Sequence, residues 1–141
     1  MKTTSKLTVL ALAAIFGYTA AVSAQDAPPA APKAKELPPV STKTGVTFAT
    51  DIKPIFDASC IKCHGAEKPG AGIVLTSLES TLKGGRNGKI LTVGDSTKGS
   101  LVKSVAHTGN MEGYMPKGRG AKPLTPEQIG LIRAWIDQGA K

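Results

Sequence analysis

The two cysteines of the chain lie three residues apart and a histidine follows them, in the segment CIKCHG at residues 60–65. On a helical turn, positions i and i+3 project to the same side, so the thiols of Cys60 and Cys63 can both reach one bound group. His64 then lies next to that group. The spacing C-x-x-C-H is the signature of c-type haem attachment, in which two thioether bonds hold the cofactor permanently. We predict one covalently bound haem c, with Cys60 and Cys63 as attachment sites and His64 as the proximal iron ligand.

Three other chemistries use the same residues. A thioredoxin-like dithiol requires a strand before the motif and a βαβ context, and neither pattern is present in the sequence. A structural zinc site requires four ligands, and His107 is the one further histidine or cysteine in the chain. A structural disulfide between Cys60 and Cys63 gives His64 no role. Haem therefore explains the segment best.

The N-terminal residues have the pattern of an export signal. A positively charged start precedes a short apolar run, and Val-Ser-Ala at residues 22–24 fits a cleavage site. We predict a signal peptide at residues 1–24, a periplasmic or otherwise exported protein, and no transmembrane anchor after cleavage. Residues 25–45 are rich in proline, alanine and lysine, which predicts a flexible linker. Residues 46–141 remain as one small domain.

The composition of this domain favours a bound group over a large hydrophobic core. Aromatic residues are few, glycine is frequent, and the two cysteines can close at most one small loop. Small exported domains of this kind are usually stabilised by disulfides or by a bound group. The formal net charge is +8, but the basic residues are scattered, so a nucleic-acid partner is not expected. Scattered charges of this kind usually form an ordinary solvated surface, and the functional alternative is a positive face that attracts an acidic redox partner.

Helical patterns alternate with loops along the domain. Thr50 or Asp51 is the expected N-cap of a helix that delivers Cys60. In the segment TSLESTLKGG, Thr76 and Glu79 are the expected capping box of a second helix. The paired glycines at the end of this segment predict where the second helix stops.

The third and fourth helices are expected in the second half of the domain. The third starts at Ser96 or Ser100. The last helix is the clearest, because Thr125 is its N-cap, a proline follows at the first helical position, and Gly139 lies just past its end. No segment shows sustained strand alternation, although KILTV is compatible with a short extended piece. We predict an all-α fold with long loops.

A haem iron has a second axial position, for which Met111, Met115 and His107 are the candidates. We favour Met115, since it follows the glycines of a loop and Pro116 restricts the backbone after it. The loop leads into the last helix, which is suited to hold the thioether over the iron. Methionines ordinarily fill gaps in a core, and Met115 can have that role instead of binding iron. Met111 and His107 therefore remain alternatives for the axial position.

Further residues are candidates for contacts around the haem. The other ring N–H of His64 is expected to donate to a carbonyl of the loop GAEKPGAG, and that of Pro69 is the first candidate. A turn without contact to His64 is an equally good interpretation of Pro69. Trp135 is expected either at the haem edge or in the hydrophobic core. Arg86 and Lys89 are candidates to neutralise the haem propionates.

Five segments occur in the order and at about the spacing of the cytochrome c superfamily: IKPIFDASCIKCHG, GIVLTSLESTLKGG, VGDSTKGSLVKSV, YMPKG and LTPEQIGLIRAWIDQGAK. The sequence most resembles the planctomycete-type c-type cytochrome domain, over nearly all of residues 48–141. This resemblance implies a class I cytochrome c-like fold, in which several short helices and long loops surround one covalent haem c. It also implies Cys60 and Cys63 as attachment sites, His64 as the proximal ligand and Met115 as the distal ligand.

Two classes of function are compatible with such a domain. The first is a monohaem electron carrier, not an enzyme, that passes single electrons between a redox donor and an acceptor, both unidentified. The second is a haem enzyme or ligand sensor, peroxidase-like or gas-binding, with an open distal site. A haem subunit docked in a larger dehydrogenase or oxidase complex, peripheral to a membrane, is a variation on the carrier. A coordinated Met115 closes the distal site, and the sequence shows no peroxidase-type distal His–Arg pair. The carrier is therefore the favoured interpretation.

Overall fold

The computed structural model of the protein describes residues 36–109 and 111–141, so the predicted signal peptide and the first part of the predicted linker lie outside the described residues. Within this part of the chain there are five α-helices and no β-strand, in agreement with the all-α prediction. The helices are α1 (Lys53–Ser59), α2 (Ile61–His64), α3 (Leu78–Lys83), α4 (Ser100–Val105) and α5 (Pro126–Asp137). The segment KILTV contributes Thr92 to an isolated bridge with Asp95 and is not a strand. None of the described helices is both long and apolar enough to cross a membrane.

A single π-helical turn, Phe48–Ile52, leads into α1. Its N-cap is Thr47, whose hydroxyl accepts a hydrogen bond from the Thr50 amide at 3.3 Å. In return, the Asp51 carboxylate accepts from the Thr47 amide at 3.0 Å. The prediction of Thr50 or Asp51 as N-cap is therefore wrong. The helical conformation already begins at Phe48, before the residues whose apolar spacing predicted the helix.

The starts of α3 and α4 also differ from the predictions. Ser77 is the N-cap of α3: its hydroxyl accepts from the Ser80 amide at 3.2 Å, and the Ser80 hydroxyl accepts from the Ser77 amide at 3.3 Å. This reciprocal pair lies one residue further along than the predicted box of Thr76 and Glu79. It forms there because Ser77 is the residue with extended backbone, at φ −140° and ψ 161°. Helix α4 begins after Gly99 and has no side-chain cap, so neither predicted serine caps it.

Ser96 instead has a long-range role in the interior. It is 1% exposed, and its amide and hydroxyl donate to the two carboxylate oxygens of Asp137 at 2.6 and 3.0 Å. The Arg133 Nε–H donates to the Ser96 hydroxyl at 3.1 Å. The loop before α4 is thus attached to the end of α5, and a local helix-start pattern does not reveal such an attachment.

Helix α5 agrees with the sequence at both ends. The Thr125 hydroxyl accepts from the Gln128 amide at 3.3 Å, and the Gln128 side chain accepts from the Thr125 amide at 2.9 Å. Pro126 occupies the first helical position, and Gly139 follows the end of the helix with φ 101°. The buried residues of α5 are Ile129, Gly130, Ile132, Ala134, Trp135 and Ile136.

Three aromatic rings join α5 to the start of the domain. The centre of the Phe48 ring lies 5.8 Å from that of Trp135 and 6.0 Å from that of Phe56. Trp135 is fully buried, and its indole N–H donates to the carbonyl of Lys141 at 2.9 Å. Of the two positions expected for Trp135, the structure supports the hydrophobic core. This core lies between the π-helical turn, α1, α4 and α5.

Residues 36–45, which we call the N-terminal strap, lie against α5. The Ser41 amide donates to the Gly130 carbonyl at 3.0 Å. A Cβ atom at Gly130 would lie 2.6 Å from the carbonyl oxygen of Pro39, a distance that a real side chain does not tolerate. The glycine in the middle of α5 therefore allows the strap to approach the helix backbone.

Two side chains also bind the strap, one in α5 and one at its C-terminal end. The Arg133 guanidinium donates to the carbonyl of Pro38, and the Gln138 amide donates to the carbonyl of Lys43 at 2.7 Å. This part of the segment predicted as a flexible linker is thus hydrogen-bonded to the domain. The boundaries of signal peptide, linker and domain stay predictions.

Candidate functional site

Helix α1 leads directly into the cysteine segment. Cys60 joins α1 to α2: its amide donates to the Phe56 carbonyl at 2.7 Å. Its carbonyl accepts from the amides of Cys63 at 3.1 Å and His64 at 2.8 Å. Both thiols are free, and Cys60 packs against the hydrophobic core while Cys63 is exposed. The structure therefore brings three of the four predicted site residues together on one helical turn.

The environment of Cys60 is informative about its chemistry. Burial raises the pKa of the Cys60 thiol to about 11. Reactive cysteines of the thioredoxin type have a lowered pKa instead, because the thiolate is the nucleophile. Cys60 is therefore not activated as a redox thiol. A neutral sulfur at the edge of the core fits a residue that becomes a thioether.

A backbone carbonyl orients the imidazole of His64. The Nδ1 atom lies 3.2 Å from the carbonyl oxygen of Ile73, and since a carbonyl only accepts, Nδ1 carries the proton. In this tautomer the lone pair is on Nε2, which is the usual arrangement of a metal-binding histidine. The Leu75 amide donates to the carbonyl of His64 at 2.9 Å. The ring and the backbone of His64 are thus both bonded to the segment that follows the motif.

The expectation that Pro69 supplies this carbonyl is wrong. The Pro69 carbonyl accepts from the Gly72 amide at 3.0 Å and so closes a tight turn. Gly72 has φ 72°, a left-handed conformation that favours glycine. The turn reverses the chain and brings the carbonyl of Ile73 to the His64 ring. Every residue carries a backbone carbonyl, so no residue type in the sequence signals the role of Ile73.

A second segment supports this turn. The Arg86 amide donates to the carbonyl of Ala71 at 2.9 Å. A Cβ atom at Gly85 would lie 2.6 Å from a side-chain carbon of Ile73 and 2.7 Å from the Ala71 oxygen. Gly85 therefore allows the two backbones to pack closely, next to the residue that orients His64. The propionate roles of Arg86 and Lys89 stay predictions.

Met115 lies in the loop between α4 and α5, and it packs, partly buried, against the same hydrophobic core as Cys60. Its amide donates to the Ser104 carbonyl at 3.0 Å, and its carbonyl accepts from His107 Nε2 at 2.9 Å. These bonds attach Met115 to the end of α4. Because His107 donates through Nε2, that nitrogen carries a proton and has no lone pair for a metal. The side chain of Met111, the other alternative, lies outside the described residues.

No curated protein matches the chain significantly. Among solved structures, Kuenenia stuttgartiensis hydrazine synthase is similar, at 27% sequence identity and a TM-score of 0.45. The match covers 67% of this chain but 16% of that one, so this chain corresponds to a small part of the length of the matched protein. This likeness is too weak to assign a fold or an activity.

Residues 60–118 match the family model described as Planctomycete cytochrome C. This range begins at Cys60, includes Cys63 and His64, and extends past Met115, so it contains every predicted haem-binding residue. A cytochrome c domain implies covalently bound haem c. The match supports a planctomycete-type cytochrome c domain at residues 60–118, and a domain of this kind implies a haem protein.

Proposed function

We propose that this protein is a periplasmic monohaem electron carrier with a class I cytochrome c-like fold. In this proposal Cys60 and Cys63 hold haem c through thioethers, His64 is the proximal iron ligand and Met115 the distal one. The observation that carries the proposal is the hydrogen bond from His64 Nδ1 to the Ile73 carbonyl, because it leaves Nε2 as the ring nitrogen for iron. Cytochrome c domains are typically exported, which agrees with the predicted signal peptide.

The residues of the cysteine turn fit this cofactor. Two free thiols and one imidazole share a single helical turn, with Cys60 at the edge of the core and Cys63 exposed. A group attached to both sulfurs is held at the boundary between core and solvent. Haem supplies a reversible one-electron change at iron, and the protein supplies attachment, orientation and shielding.

Met115 is suited to closing the distal position. A neutral thioether favours Fe(II) and raises the reduction potential relative to a second imidazole. The backbone of Met115 is bonded on both sides, through its amide to Ser104 and through its carbonyl to His107. A closed site passes electrons without binding a substrate, which favours a carrier over an enzyme or a sensor.

The donor and acceptor are proposed to be redox proteins that meet a positively charged surface. The formal net charge of the chain is +8. Lys117, Arg119 and Lys122 are exposed in the loop that follows Met115. Attraction between such a surface and an acidic partner speeds association and weakens as salt is added.

Covalent attachment is tested by acid-acetone extraction of the denatured protein. Haem should stay with the unmodified chain and with each single variant, Cys60→Ala or Cys63→Ala, since one thioether remains. It should be extracted from the double variant. Loss of colour from the unmodified chain under this treatment would refute the thioethers.

Distal ligation is tested by carbon monoxide binding to the ferrous protein. Met115→Ala should bind carbon monoxide readily and have a lower reduction potential, because the thioether no longer occupies the iron. Met111→Ala is the matched control and should keep a six-coordinate, low-spin spectrum. Immediate carbon monoxide binding by the unmodified protein would overturn the carrier and favour a haem enzyme or sensor.

A further inference from the structure

The chain leaves α4 through a left-handed residue that is not glycine. His107 has φ 55°, which histidine tolerates better than most side chains do. Its amide donates to the Ser104 carbonyl at 3.3 Å, the same oxygen that accepts from the Met115 amide at 3.0 Å. The Ser104 carbonyl, at the end of α4, thus binds both His107, at the beginning of the loop, and Met115, eight residues later.

The His107 side chain makes the second attachment to Met115. Its Nε2–H donates to the carbonyl oxygen of Met115 at 2.9 Å. The imidazole stacks on the ring of Tyr114, with ring centres 4.8 Å apart and planes 7° from parallel. The Tyr114 hydroxyl in turn donates to the carbonyl of Gly109 at 3.3 Å. The ring that binds Met115 is therefore itself held in place within the loop.

The rest of this loop has local hydrogen bonds, from the Lys117 ammonium to the Glu112 carbonyl and from the Ala121 amide to the Gly118 carbonyl at 3.1 Å. Residues 117–123 are all exposed, and Gly118 and Gly120 have positive φ angles. An exposed, glycine-containing segment loses much conformational entropy when it is fixed in one conformation. Contacts that restrain Met115 before it binds iron reduce the entropic cost of fixing the loop when the iron–sulfur bond forms.

We propose that His107 is a positioning residue that holds Met115 in place as an axial ligand, a role that rests on the proposed function of Met115. The histidine acts on the backbone of Met115 and not on the iron. Its rigid ring reaches the Met115 carbonyl from the left-handed position at the end of α4. Loss of this bond lets the loop open more often and exposes the iron to outside ligands.

Cyanide binding to the ferric holoprotein measures this opening, since cyanide enters only after the thioether leaves. Two amide variants differ in reach: the nitrogen of glutamine comes close to the position of Nε2 in histidine, whereas that of asparagine does not. His107→Asn should accelerate cyanide binding roughly tenfold, the size expected when one hydrogen bond is lost. His107→Gln should stay within about threefold of the unmodified protein, because it keeps a donor near the Met115 carbonyl. Thr108→Ser, a neighbouring change that keeps the hydroxyl bonded to the Lys103 carbonyl, is the control and should have no effect.

A double variant separates this proposal from the ligand assignment. In Met115→Ala the site is already open, so adding His107→Asn should give no further acceleration. If Met115→Ala accelerates cyanide binding and His107→Asn does not, the positioning role fails and Met115 remains the ligand. Equal acceleration by His107→Gln and His107→Asn would also overturn the positioning role. If Met115→Ala has no effect, the proposed distal ligand itself is wrong.

Thermal unfolding of each holoprotein variant shows whether a change in rate reflects general loss of structure. His107→Asn should accelerate cyanide binding at temperatures well below the midpoint of its thermal unfolding. If the acceleration appears only where the variant begins to unfold, His107 has a structural role alone and the proposal is overturned.

Discussion

The two predicted iron ligands are held by different means. His64 belongs to what we call the proximal segment, residues 60–75, in which backbone hydrogen bonds close one turn on another and Gly85 packs against it. Met115 belongs to the distal loop, residues 106–123, where its amide is bonded to Ser104 of α4 and its carbonyl to the side chain of His107, at the start of the loop. The proximal side therefore depends on close backbone packing, and the distal side depends on one backbone hydrogen bond and one bond from a replaceable side chain. We expect the two sides to respond differently to small structural changes.

Adding one methyl group at Gly85, against the proximal segment, should have the largest effect. In Gly85→Ala the new Cβ would meet Ile73 at 2.6 Å and Ala71 at 2.7 Å, so the backbone that orients His64 must shift. We expect a loss of about 1–3 kcal/mol in the free energy of unfolding, as for overpacked cores. Chemical denaturation of the holoprotein measures this loss, and the low-spin spectrum should show a perturbed proximal ligand.

The matching change in the distal loop is Gly118→Ala. A Cβ at Gly118 meets nothing within 4 Å, but the residue has φ 111°. The cost is therefore only backbone strain, about 1–2 kcal/mol before the exposed loop relaxes part of it. An equal or larger loss than in Gly85→Ala would contradict the comparison of the two sides.

Amide hydrogen exchange should show the same contrast without mutation. The amides of Gly72, Ile73 and Leu75 donate to backbone carbonyls in the proximal segment. The amides of the exposed residues 117–120 belong to the part of the distal loop with the least packing. We expect exchange of the first group to be on the order of 100-fold slower or more, because it requires opening of packed structure. Similar rates in both groups would show that the proximal segment is no more rigid than the distal loop.

Acid titration of Asp51, which binds Lys43 of the N-terminal strap, should have the smallest effect of these changes. Hydrogen bonds from Lys43, Thr47 and Thr50 lower the pKa of Asp51 from 3.8 to about 2. Since the folded-state pKa is below the unfolded value, this stabilisation is present above about pH 4 and is lost as the pH falls towards 2. The melting temperature of the unmodified protein should therefore fall towards that of Asp51→Asn over this range. A constant difference between the two proteins would contradict this assignment, and a difference between their haem spectra above pH 4 would show that the strap influences the ligands.

The sequence was a good guide where neighbouring residues determine the structure. The ends of α5 follow from Thr125, Pro126 and Gly139, because capping bonds and positive φ angles are properties of a few consecutive residues. The cap of α3 was missed by one residue, since Thr76 and Ser77 are both good caps and only the backbone conformation selects between them. Ser96 was misassigned for a different reason: its partner, Asp137, lies on a distant helix.

From the sequence alone came the all-α class, the likeness to the cytochrome c family and the motif that predicts covalent haem, because these depend on residue types at short, regular spacings. The tertiary structure alone decided that the Ile73 carbonyl orients His64, that His107 binds the backbone of Met115, and that Gly130 makes room for the strap. The physical reason is that these contacts use backbone atoms, which every residue carries. Which backbone atoms meet depends on the path of the folded chain and not on the residue types at the contact.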